Sequence, residues 1–100
     1  MADPTPQLYL VCYDVADDRR RARLLRLLRG YGEHIQFSVF RCVLSPMRFA
    51  ELRARIEPLV DHAEDQVLLV LLGKAESKKS WRATIVGRPM PPPRRGALIV

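Results

Sequence analysis

Apolar positions in this chain come in two textures: unbroken runs, and stripes that repeat every three or four residues. The first run, Leu8-Tyr9-Leu10-Val11-Cys12-Tyr13, predicts a central strand over residues 8–13, covered on at least one face. It stops at Asp14. From there to Asp18 the chain reads as a turn, with Asp17 and Asp18 suited to cap the helix that follows and to complement its dipole. Over 19–29 the pattern turns helical: Leu24, Leu25, Leu28 and then Tyr31 fall on one side of a wheel, and Arg19, Arg23, Arg26 and Arg29 fall on the other. Gly30 and Gly32 close that helix.

Residues 33–44 are extended and longer than one average strand, so a kink or tight hairpin is expected near 36–38. Ser45 followed by Pro46 is a helix start. Phe49, Leu52, Ile56 and Leu59 then recur at helical spacing, and Pro58 ends regular helix near Glu57. A polar turn over 61–65 leads into a second buried strand over 66–72. Beyond Gly73 come a charged loop over 74–80, a short strand candidate over 81–86, a Pro/Arg linker over 88–96 and an apolar tail over 97–100. A tail of that kind is expected to pair with a strand edge. The order predicts an α+β fold: a ferredoxin-like βαββαβ sandwich with an extra C-terminal strand. Its domain spans 1–87, and 88–100 form a C-terminal extension that ends in a partner-pairing strand. One face of so small a sheet stays open, which predicts a homodimer joined through that face or an edge.

Charge sharpens this picture. The 100 residues carry 17 Lys+Arg against 11 Asp+Glu, a formal net charge of +6, and the basic set is fourteen Arg to three Lys. Guanidinium forks match phosphates bidentately, so duplex DNA or RNA is the expected partner. Arg19, Arg23, Arg26 and Arg29 have no acidic residue among them to neutralise the stripe, and Lys78, Lys79 and Arg82 head a second basic set. At 48% hydrophobic residues the core needs neither metal nor disulfide, and Cys12 and Cys42 read as small buried hydrophobes. The N-terminus lacks a basic-then-apolar leader and no run is long enough to span a bilayer, so a cytoplasmic protein without membrane contact is expected.

Candidate chemistry is sparse. There is no P-loop, GxGxxG or Ser/His/Asp constellation, and neither His34 nor His62 stands in metal-ligand spacing, although His34 lies beside the expected turn. Asp14 stands out because a strand fixes it and a loop exposes it. It reads either as a turn former bonded to its own backbone or as half of a metal site that a two-fold axis would complete. Base stacking could come only from Tyr13, Tyr31, Phe37, Phe40, Phe49 or Trp81, most of which look like core, so contact with the nucleic-acid backbone is expected to dominate.

Tyr13-Asp14-Val15 at a strand end, the Arg-rich helix, Tyr31-Gly32, Gln36-Phe37-Ser38-Val39-Phe40 and an apolar strand after an acidic turn occur in this order over about residues 8–87. In that combination the chain resembles the small CRISPR-associated endoribonuclease family, the second core protein of spacer acquisition. The resemblance implies a homodimer whose last strand crosses to the partner's sheet. It implies a Mg²⁺ (or Mn²⁺) site formed by the two copies of Asp14, and endonuclease action on RNA or DNA with Asp14 as the catalytic residue. It also implies a place between CRISPR-associated integrase subunits, along captured DNA. Many members carry Glu directly after Ser-Val-Phe, where this chain has Arg41, so that strand adds no carboxylate. Two alternatives stay open: a non-catalytic duplex-binding dimer of the integrase complex, and a regulatory RNA-binding module of the same fold.

Overall fold

The apolar run of 8–13 becomes an inner strand because both of its edges find partners. The computed structural model describes residues 5–75 and 83–88. Its elements are β1 (Gln7–Asp14), α1 (Asp18–Arg29), β2 (Gly32–Gln36), β3 (Val39–Leu44), α2 (Pro46–Ile56) and β4 (Gln66–Lys74), with a 3₁₀ turn at Glu57–Leu59. The strands form one antiparallel sheet in the order β2-β3-β1-β4, the ferredoxin-like arrangement. The expected hairpin is present as a two-residue turn, Phe37-Ser38, between β2 and β3.

Pleating sends alternate residues to opposite faces. Val11 and Tyr13 of β1, with Phe40, Cys42 and Leu44 of β3, meet Leu24, Leu25 and Leu28 of α1 and Leu52 and Ile56 of α2 in one core. Tyr9 extends this layer by stacking on Phe49 of α2, ring centroids 4.5 Å apart. Burial pushes the Cys42 thiol up to about 11, so it behaves as an inert apolar group. Both helices start as their sequences suggest: the Asp17 side chain accepts from Arg20 N at 2.9 Å, and Ser45 Oγ accepts from Arg48 N at 3.2 Å.

The opposite face carries no helix among the described residues. Register places Leu10, Cys12, Val39, Val43, Leu68 and Val70 there, with Val43 41% and Leu68 52% exposed. Cys12 is therefore half-buried on an open face, whereas the sequence reading buried it. The strand expected over 81–86 is also corrected in part. Residues 83–86 belong to no strand, and Val86 is 95% exposed. Trp81, Lys78, Lys79, Arg82 and the tail over 97–100 lie outside the described residues, as does all but the first residue of the linker. No described helix is long and apolar enough to cross a membrane.

The two glycines after α1 do different jobs. Gly30 is the helix cap in ordinary right-handed geometry, with its N–H on Leu27 O and the next N–H, that of Tyr31, on Leu28 O. Gly32 sits in β2 opposite Cys42, where a Cβ would fall 2.3 Å from Arg41 O and 2.5 Å from Cys42 Sγ. Gly32→Ala is expected to cost roughly 1–3 kcal/mol through backbone displacement. Gly30→Ala, whose nearest neighbour would be Leu27 O at 3.4 Å, should be neutral or slightly stabilising. Urea unfolding of the two variants checks this contrast.

Candidate metal and nucleic-acid site

Asp14 is the last residue of β1, paired in register with Gln66 at the start of β4. Its position on the strand puts it on the same side as Leu10 and Cys12, at the border of the open face. The side chain is exposed and takes part in no hydrogen bond or ion pair among the described residues, so the backbone-bonded turn reading does not hold. Tyr13, Asp14, Val15, Arg21, Phe37 and Ser38 surround an open depression of about 420 Å³.

What holds this corner in place is a carboxylate that the sequence reading left in a polar turn. Asp65, just before β4, is wholly covered. It accepts from Ala16 N at 3.0 Å, Asp61 N at 2.8 Å, and the Arg20 guanidinium at 2.7 Å from Nε and 3.1 Å from Nη2. The Arg20 hydrogen bond, with those from the two backbone amides, holds the Asp65 carboxyl well below the usual carboxylate range; Asp65 in turn raises Arg20. One side chain thus ties the loop after β1, the first turn of α1 and the turn before β4. Its partners Ala16 and Arg20 are distant along the chain, so spacing gives no signal for it.

The arginines of α1 divide accordingly. Arg20 is spent on Asp65, and Arg21 donates to Val15 O at 2.8 Å and pairs with Asp18 at the edge of the depression. Arg19, Arg23 and Arg26 are exposed and stand in no ion pair among the described residues. Arg29 is half-buried and near enough to Tyr13 to pull against the upward push that burial gives its phenol. The exposed part of the predicted stripe is therefore Arg19, Arg23 and Arg26, with Arg29 at its margin.

Tyr13 OH donates to Phe37 O at 2.8 Å, Tyr13 N donates to Ser38 O at 3.0 Å, and His34 Nε2 meets Phe37 O at 2.9 Å. A carbonyl only accepts, so Nε2 carries the hydrogen and His34 serves the turn. Its ring lies on Phe40, centroids 4.5 Å apart, and its Nδ1 is buried without a hydrogen-bond partner among the described residues.

No group of three or more His, Cys, Asp or Glu able to hold a metal ion exists among the described residues. Asp14 suits a hard divalent cation, since its oxygens are uncommitted, and one chain offers a single carboxylate, the fewest such a site uses.

The family model for CRISPR associated protein Cas2 matches residues 7–80. The chain belongs to the Cas2 family. It is 41% identical over 93 residues to the CRISPR-associated endoribonuclease Cas2 of Geobacter sulfurreducens, covering 93% of this chain and 97% of that protein. Among solved structures it is similar to Cas2 of Streptococcus pyogenes at pH 6.5, with a TM-score of 0.68 and 30% identity over 80% of this chain and 99% of that one. It is also similar to a chain of a partial Cas6-RT-Cas1–Cas2 complex, with a TM-score of 0.55 and 32% identity over 63% of this chain and 77% of that one. The chain is thus CRISPR-associated, with the fold of Cas2.

The Asp65 clasp has a defined pH signature. A depressed carboxyl stabilises the fold fully above its unfolded value, near 3.8, and progressively less as pH falls below it. Asp65→Asn should lower the melting temperature by a constant amount from neutral pH to about pH 5, and the gap to the parent should narrow below about pH 4. Thermal unfolding followed by circular dichroism across that range checks it.

Proposed function

We propose that the chain works as a homodimer joined across the open sheet face, in which two Asp14 carboxylates hold Mg²⁺ (or Mn²⁺) for endonucleolytic hydrolysis of RNA or DNA phosphodiesters. The same dimer serves as the central duplex-binding unit beside a CRISPR-associated integrase subunit in spacer acquisition. The observation that carries this reading is the placement of Asp14: exposed, uncommitted, and at the border of an apolar face that a second copy would cover. Likeness to relatives named endoribonucleases and to a chain of a complex containing Cas1 supports both halves.

A divalent ion bound there would supply a Lewis acid for the phosphodiester. The chain's own residues do the remaining work. Asp14 binds the ion, and the Asp65 clasp keeps the loop that follows Asp14 from drifting. Arg21, fixed by the Val15 carbonyl, sets positive charge beside the depression, where negative charge grows in the transition state. Arg19, Arg23 and Arg26 lie on an exposed helix face that suits a run of phosphates, which favours duplex binding as a role that needs no chemistry.

Cleavage of labelled RNA and DNA by the purified chain with Mg²⁺ or Mn²⁺ separates the two roles. Asp14→Asn should lower cleavage at least roughly 100-fold, as EDTA should, while leaving duplex affinity unchanged. Undiminished cleavage by Asp14→Asn would remove the metal-site reading. Reversing Arg19, Arg23 and Arg26 to Glu should weaken duplex binding and reduce the slope of log K against log salt by roughly 3. An unchanged slope would move the duplex to another surface.

A further inference from the structure

The turn between β2 and β3 breaks a local rule. Two-residue hairpin turns favour Asn, Asp or Gly because their preferred forms need positive φ. Here the turn is Phe37-Ser38, and no non-glycine residue among those described has positive φ. The neighbouring ladder is irregular as well, with a register shift between His34 and Gln36. Bulges of this kind often sit where a side chain is re-aimed beside a site.

External bonds compensate for the poor turn. The Phe37 carbonyl takes hydrogens from both Tyr13 OH and His34 Nε2, and the Ser38 carbonyl takes one from Tyr13 N. His34 is itself held flat on Phe40, its rings 6° from parallel. The backbone is therefore pinned while the side chain stands out: Phe37 is 64% exposed. Phe37 lines the depression that Asp14 and Arg21 also line. Of the described aromatic candidates, Tyr13, Tyr31 and Phe40 are buried and Phe49 is stacked on Tyr9. Phe37 alone of these keeps a large part of its surface free.

We infer that Phe37 is a stacking platform for an unpaired nucleobase next to the phosphate that Asp14 addresses. This rests on the reading of Asp14 as the centre of a nucleic-acid site. An exposed aromatic ring on a pinned backbone offers its face to any base, and Arg21, on the same depression, offers charge to the neighbouring phosphate. A base inside a duplex has no free face to offer, so the platform discriminates by strandedness rather than by sequence. The specificity-determining group is thus an aromatic residue on the same depression as the carboxylate.

The test measures binding without metal, so that cleavage does not enter. Short labelled single strands of RNA and of DNA, and the matching duplexes, are titrated with the full-length protein. Phe37→Ala should weaken single-strand binding roughly 5- to 100-fold and leave duplex binding unchanged. Phe37→Trp should restore it, with indole fluorescence quenched on adding the strand. A strand with one abasic position should bind the parent more weakly and lose nothing further with Phe37→Ala. Equal loss with RNA and DNA is expected, because both present the same base faces. Single-strand affinity unaffected by Phe37→Ala would overturn the inference. So would a shift of Phe37→Ala to a smaller species in sedimentation, which would place the ring in a contact between copies. If Phe37-dependent binding is found while the parent cleaves nothing, the platform stands and the nuclease reading alone falls.

Discussion

A single covered carboxylate governs the end of the molecule where chemistry would occur. Asp65 satisfies two backbone amides and a bidentate guanidinium from three separate segments. Burying a charge is costly unless it is paired and fully hydrogen-bonded, and here it is both. The arrangement works only if the loop after β1, the start of α1 and the turn before β4 hold their relative places. The sheet supplies the frame, since Asp14 pairs with Gln66, the residue next to Asp65. The exposed Asp14 carboxylate can stay uncommitted because its covered neighbour does the structural work.

The same division runs through α1. Helical geometry sends Arg20 and Arg21 towards the protein, where they meet Asp65, Val15 O and Asp18, and sends Arg19, Arg23 and Arg26 outward. Five of the six arginines in this short helix thus perform two tasks set by phase angle alone. The inner pair builds the corner and charges the depression. The outer three give the fold a basic exterior that any polyanion would meet.

Much of this was legible in the chain. Leu24, Leu25 and Leu28 announced α1, Ser45-Pro46 announced α2, and the apolar runs announced β1 and β4 to within two residues. Such signals are local, and local periodicity survives packing. Asp14 was legible too, as a carboxylate at a strand end. Asp65 was not, because its partners lie 45 and 49 residues away and nothing local separates a buried acid from a turn former. Gly32 was read with the helix cap, although its need arises from Arg41 across the sheet. The aim of Phe37 depends on hydrogen bonds from Tyr13 and His34 that no spacing reveals.

The open side of the sheet bears on how such a protein would behave in a test tube. Val43 and Leu68 stand on a surface with no helix among the described residues, and there β4 has a neighbour only in β1. Free apolar area and an unpaired strand edge both favour association over solitude. In the proposed dimer, folding and self-association would be linked by mass action, and the unfolding midpoint would become a function of how much protein is present. Dilution would act on this chain as a mild denaturant.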